Sequence, residues 1–171
     1  ATEQAASLLE ECPDSVAAMA SAAALLKSTF DHISWVGFYL PAGDGSLVVG
    51  PYQGPLACIR LPAGKGVCGA VATSRRTMNV PDVHAFPGHI ACDAASNSEL
   101  VVPVIDRGRL IGVLDLDSPL PGRFDDADAR ELGSRSRHPE EDTERGMTES
   151  CAVTVGDRRI AHVLLTRCEV A

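Results

Sequence analysis

The segment ELVVPVIDRGRLIGVLDLDSP, residues 99–119, holds the two clearest strand signals in the chain. The first run, residues 99–106, is almost continuously apolar after Glu99. The second, residues 109–119, alternates: Leu114 and Leu116 face one way, and Val113, Asp115 and Asp117 face the other. Arg107-Gly108 between them is a tight turn, so the two runs read as neighbouring antiparallel strands. The second face is mixed, with one valine and two acids.

Working outward, the same grammar recurs. ISWVGFYLP (33–41) and SLVVGPYQG (46–54) flank the turn residues Gly43, Asp44 and Gly45 and read as a hairpin. LACIRLP (56–62) and TMNVPDV (77–83) are shorter strand signals. GKGVCGAVATSRR (64–76) reads as a glycine-led helix. Residues 2–11 and 14–30 read as helices, the second capped by Asp14 or Ser15 after Pro13. Residues 84–98 contain Pro87, Gly88 and Asn97 and read mostly as loop. Six strand signals with flanking helices predict an α+β domain around an antiparallel sheet.

The last part has a different character. RFDDADARELG (123–133) opens like a helix with Asp125 as cap and stops at Gly133. Residues 134–150 then carry one apolar side chain in seventeen, a linker composition. Residues 151–167 are patterned as a hairpin turning near Gly156-Asp157. The expected organisation is one domain over residues 1–133 and an atypical tail over 134–171. The abrupt loss of apolar period fits a changed reading frame near residues 130–135.

Composition narrows the functional classes. Apolar residues make up 45% of the 171, ordinary for a packed domain. A net charge of −8 argues against nucleic acid or an anionic membrane as partner. The longest apolar run, Val16–Leu26, is too short to span a bilayer, and acids precede it where an export signal carries positive charge. The expected location is therefore the cytoplasm. Six cysteines at 12, 58, 68, 92, 151 and 168 are too widely spaced for a disulfide scaffold, and no metal-finger spacing occurs. In that compartment paired thiols are more often redox-active than structural.

One thiol stands apart. In GHIACDAASNSELVVPV (88–104), Cys92 sits on a polar loop seven residues before Glu99. Taken with WVGFYL, GPYQGPLACIRLPAGKGVCGAVA, NVPDVHAFPGHIACDAASNSELVVPV and LIGVLDLDSP, it gives a pattern that resembles the free methionine-(R)-sulfoxide reductase family, whose members are single GAF domains. The resemblance covers about residues 5–130. It implies a GAF fold with a six-stranded antiparallel sheet. It also implies that Cys92 is the catalytic thiol, Cys58 the resolving cysteine and Cys68 a further cysteine that assists exchange. Glu99, Asp115 and Asp117 match acids of the substrate pocket, and Trp35 and Tyr39 match its aromatic walls. The implied substrate is free methionine (R)-sulfoxide and the implied reductant thioredoxin, with no metal or organic cofactor. A homodimer is also implied, its interface partly in the region that the tail replaces.

The residue types suit that chemistry. A thiolate attacks the sulfoxide sulfur, and its pKa must fall for it to be abundant at neutral pH. His84 and His89 lie near Cys92 in sequence and are candidates for lowering it. The sulfoxide oxygen leaves only if protonated, which requires an acid within hydrogen-bond reach. Carboxyls crowded into one pocket cannot all ionise, so one keeps its proton. A remaining carboxylate can pair with the ammonium of a free amino acid. The sulfenic acid left on Cys92 condenses with a nearby thiol, and an external dithiol resets the pair. Cys58 and Cys68 are the candidates inside the domain; spacing does not order them, and the resemblance favours Cys58. Cys12, Cys151 and Cys168 have no expected role. Two other functions fit a GAF domain: a small-molecule sensor without catalysis, and a thiol switch without substrate.

Overall fold

The computed structural model describes residues 14–106, 108–132, 154–155 and 158–159. The expected helix at 2–11, Cys12, the linker 134–150 and most of the 151–167 hairpin lie outside them. Of that hairpin, the described part is a two-residue pairing of Thr154–Val155 with Arg158–Arg159.

Six strands form one antiparallel sheet: β1 Trp35–Pro41, β2 Leu47–Gln53, β3 Arg60–Leu61, β4 Met78–Val80, β5 Ser98–Asp106 and β6 Arg109–Ser118. Their spatial order is β3-β2-β1-β6-β5-β4. The β5–β6 hairpin thus sits beside β1 in the middle of the sheet. Both faces of the sheet are covered, which explains why β5 is a nearly unbroken apolar run rather than an alternating one. Val36, Phe38, Leu100, Val102, Leu114 and Leu116 pack into one core layer. Val101 and Val113 point into the other.

Helix α1, Ser15–Thr29, covers the first face. Asp14 caps it by accepting from the Ala17 amide at 2.8 Å. Small buried residues, Ala18, Ala22 and Ala23, let the helix approach the sheet closely, and Leu26 fills the remaining depth. Helix α2, Gly66–Ser74, covers the second face with Val67, Cys68 and Val71. Helix α3, Asp126–Leu132, starts where expected: the Asp125 carboxylate accepts from the amides of Ala127 and Asp128. Leu132 is fully buried in the first layer. Among the described residues no helix is long and apolar enough to cross a membrane.

The expected strand at 56–62 shrinks to Arg60–Leu61. Pro55 has no amide to donate, and the Cys58 carbonyl is taken by the Tyr39 hydroxyl at 3.0 Å rather than by a strand. The expected strand at 77–83 is likewise confined to Met78–Val80; Pro81 ends it, and a single 3-10 turn, Val83–Ala85, follows.

Candidate active site

The second face of the sheet, the N-terminal end of α2 and the loops around residues 56–58 and 89–96 enclose one pocket. Strand register supplies its floor. Glu99 lies directly opposite Asp117 on β6, and Asp117 lies opposite Trp35 on β1. Asp115 is paired with Val101 on one side and Gly37 on the other. Period-two alternation therefore delivers Asp115, Asp117, Glu99, Trp35 and Tyr39 to one face, as the sequence pattern requires. Gly37 has a reason to lack a side chain: a Cβ there would collide with the Trp35 ring and Tyr52. That space lets Trp35 stack on Tyr52 and Tyr39, with ring centroids 5.2 and 5.8 Å apart.

Seven of the eight expected site residues line this pocket: Trp35, Tyr39, Cys68, Cys92, Glu99, Asp115 and Asp117. The eighth, Cys58, is joined to Cys92 by a disulfide with Cα atoms 5.3 Å apart. Both cysteines are half-buried, at the edge of the pocket. Cys68 stands apart from the disulfide as a free, buried thiol. It donates to Asp115 Oδ2 at 3.3 Å and lies 3.9 Å from Glu99 Oε1.

Charge is scarce and crowded here. Burial, then the facing Asp117, pushes Glu99 up to about 8. Burial, opposed by a Ser96 hydrogen bond, pushes Asp117 up to about 7. Asp115 is raised well above the carboxylate range by burial and then by Asp117 and Glu99. Burial and the neighbouring acids also raise the Cys68 thiol. Such a set keeps one or more carboxyls protonated at neutral pH, the condition for donating a proton to a leaving oxygen. Among the residues lining the pocket, Asp115 Oδ1 and Trp35 Nε1 are buried without a hydrogen-bond partner.

The two loop histidines separate. His84 bonds to Asn97 at 3.1 Å, whereas His89 lines the pocket with Nδ1 3.9 Å from Glu99 Oε2. Burial and then His84 lower the His89 pKa, so near neutral pH the ring is a poor source of charge for a thiolate. Sequence reasoning missed Lys65 and Ser96, which also line the pocket. Lys65 was signalled by its place between two glycines at the start of a helix; Ser96 carried no signal.

Three comparisons bear on this site. The GAF domain family matches residues 14–134. The free methionine-R-sulfoxide reductase of Escherichia coli is 50% identical over 117 residues, covering 68% of this chain and 70% of that protein. The free methionine-R-sulfoxide reductase of Neisseria meningitidis, solved in complex with its substrate, superposes with a TM-score of 0.71 at 48% identity, covering 75% of this chain and 77% of that one. The reduced form of fRMsr from Staphylococcus aureus superposes with a TM-score of 0.71 at 51% identity, covering 75% of this chain and 82% of that one.

Proposed function

Because the chain belongs to the free methionine-R-sulfoxide reductase family, built on the GAF domain, we propose that it reduces free L-methionine (R)-S-oxide to L-methionine. The observation that carries the reading is the Cys58–Cys92 disulfide at the edge of a pocket floored by three carboxyls.

In this account the Cys92 thiolate attacks the sulfoxide sulfur. A protonated carboxyl among Glu99, Asp115 and Asp117 gives its proton to the oxygen. The oxygen ends on Cys92 as a sulfenic acid, and methionine leaves with its sulfur reduced by two electrons. The Cys58 thiol then attacks the sulfenic sulfur, water departs, and the disulfide forms. An external dithiol, thioredoxin, reduces it by exchange and restores both thiols. The cycle uses thiols alone, with no organic cofactor. Cys68 is a poor resolving thiol in this scheme, because burial and its acid neighbours hold it protonated. Its role is to hydrogen-bond Asp115. Trp35 and Tyr39 wall the substrate, and an ionised carboxyl pairs with its ammonium. That pairing restricts the enzyme to free amino acid, since a peptide nitrogen carries no charge.

The test is NADPH consumption through thioredoxin reductase and thioredoxin. Wild type should turn over free methionine (R)-sulfoxide, peptide-bound sulfoxide should be a poor substrate, and Cys92→Ser should be inactive. Cys58→Ser should release about one methionine per chain and then stall. Full steady-state turnover by Cys92→Ser would overturn the assignment of the nucleophile.

A further inference from the structure

Cys68, Glu99 and Asp115 come from α2, β5 and β6, and each is more than nine-tenths buried. One sulfur and two carboxylate oxygens from these three residues lie within 4.8 Å of one another. A tetrahedral cation with a thiolate at about 2.3 Å and carboxylate oxygens at about 2.0–2.2 Å holds sulfur and oxygen about 3.5 Å apart. The separations from Cys68 Sγ, 3.3 Å to Asp115 and 3.9 Å to Glu99, bracket that value. The second carboxylate oxygen of Asp115, Oδ1, is buried and has no hydrogen-bond partner, whereas Oδ2 accepts from Cys68.

We propose that Cys68, Glu99 and Asp115 bind a divalent cation of the zinc class, and that the bound ion excludes the sulfoxide from the pocket. The donor set selects the class. A thiolate disfavours magnesium and calcium, and two carboxylates disfavour copper(I), which leaves borderline ions that accept three ligands and an open fourth position. The fourth position faces the pocket and takes water. The cation displaces the protons that the ligands otherwise carry. The site persists in the oxidised chain, because the disulfide joins Cys58 to Cys92 and leaves Cys68 free. An ion here and the ammonium of a free amino acid compete for the same carboxylates. Only this consequence, inhibition, rests on the reductase reading; binding of the ion does not.

The experiment uses the oxidised full chain with Cys12, Cys151 and Cys168 replaced by serine, leaving Cys68 as the single thiol, and titrates it with cobalt(II) at about pH 8. One cobalt per chain should bind, with a thiolate-to-cobalt charge-transfer absorption that zinc abolishes by displacement. Cys68→Ser should lose the absorption while keeping the wild-type circular dichroism. Glu99→Gln, which keeps the thiol, should weaken binding by about tenfold or more. Excess free methionine (R)-sulfoxide should compete with the cobalt. Absence of the absorption, its persistence in Cys68→Ser, or unchanged affinity in Glu99→Gln overturns the site. Unchanged cobalt affinity in the presence of the sulfoxide overturns the exclusion. No turnover is read, so failure of the titration leaves the NADPH assay standing, and a chain that fails that assay can still bind the ion.

Discussion

The side chains that define the pocket are acids held against their preference. Glu99 and Asp117 sit opposite each other on adjacent antiparallel strands, a placement that penalises two like charges. Burial, and for Glu99 then the facing Asp117, makes folding favour their neutral forms. Glu99 rises from 4.5 to about 8, so its contribution to stability is fully present below about 4.5 and is lost as the pH climbs through about 8. Asp117, raised to about 7, acts in the same direction. Glu99→Gln removes one of these two losses. Its melting temperature relative to wild type should rise between about pH 5 and pH 9, as followed by circular dichroism. A difference that stays flat or falls over that range contradicts the buried, proton-retaining glutamate. Activity should share the limb: if Glu99 is the proton donor, turnover should decline as the pH passes about 8.

Helix α2 shows how an element is fixed by what it touches. Gly69 lies one residue beyond Cys68, and a Cβ there would stand 2.8 Å from the Gly64 carbonyl carbon. Two effects oppose each other in Gly69→Ala. Alanine is the better helix former by about 1 kcal/mol, whereas overpacking against backbone costs about 1–3 kcal/mol. The contact is with main chain, which cannot rotate away, so packing wins. The variant should melt at a lower temperature, with reduced reductase activity as the Cys68 end of the helix shifts. A higher melting temperature would contradict the close approach. None of this is legible in the sequence, since the Gly64–Gly69 contact depends on how the turn folds back. β5 and β6 are legible in full because each carries nine or ten residues of unambiguous pattern. β3 is over-read because part of the apolar character at residues 56–59 serves the pocket rather than a strand: Leu56 and Ala57 line the pocket, and Ile59 is exposed.

At the scale of the whole molecule, the sheet gathers residues far apart in the chain. Cys68 meets Glu99 and Asp115 across sequence separations of 31 and 47. Alternation put the two β6 acids on one face, and the family resemblance named the three thiols. The burial that raises Cys68 and its absence from the Cys58–Cys92 disulfide depend on three-dimensional packing. The Cys58–Cys92 bond spans 34 residues of sequence. In the chain-entropy account, closing a loop of that size stabilises the folded state by roughly 4 kcal/mol. Urea unfolding should show a lower midpoint for the reduced chain than for the oxidised one; equal midpoints contradict the cross-link. The most direct test of the central claim is a single turnover. The fully reduced chain, freed of reductant, is mixed with excess free methionine (R)-sulfoxide, and methionine and disulfide-linked peptides are quantified together. The expected result is about one methionine per chain and one new linkage, Cys58 to Cys92. Methionine formed with Cys92 linked to Cys68, or no methionine at all, would contradict it.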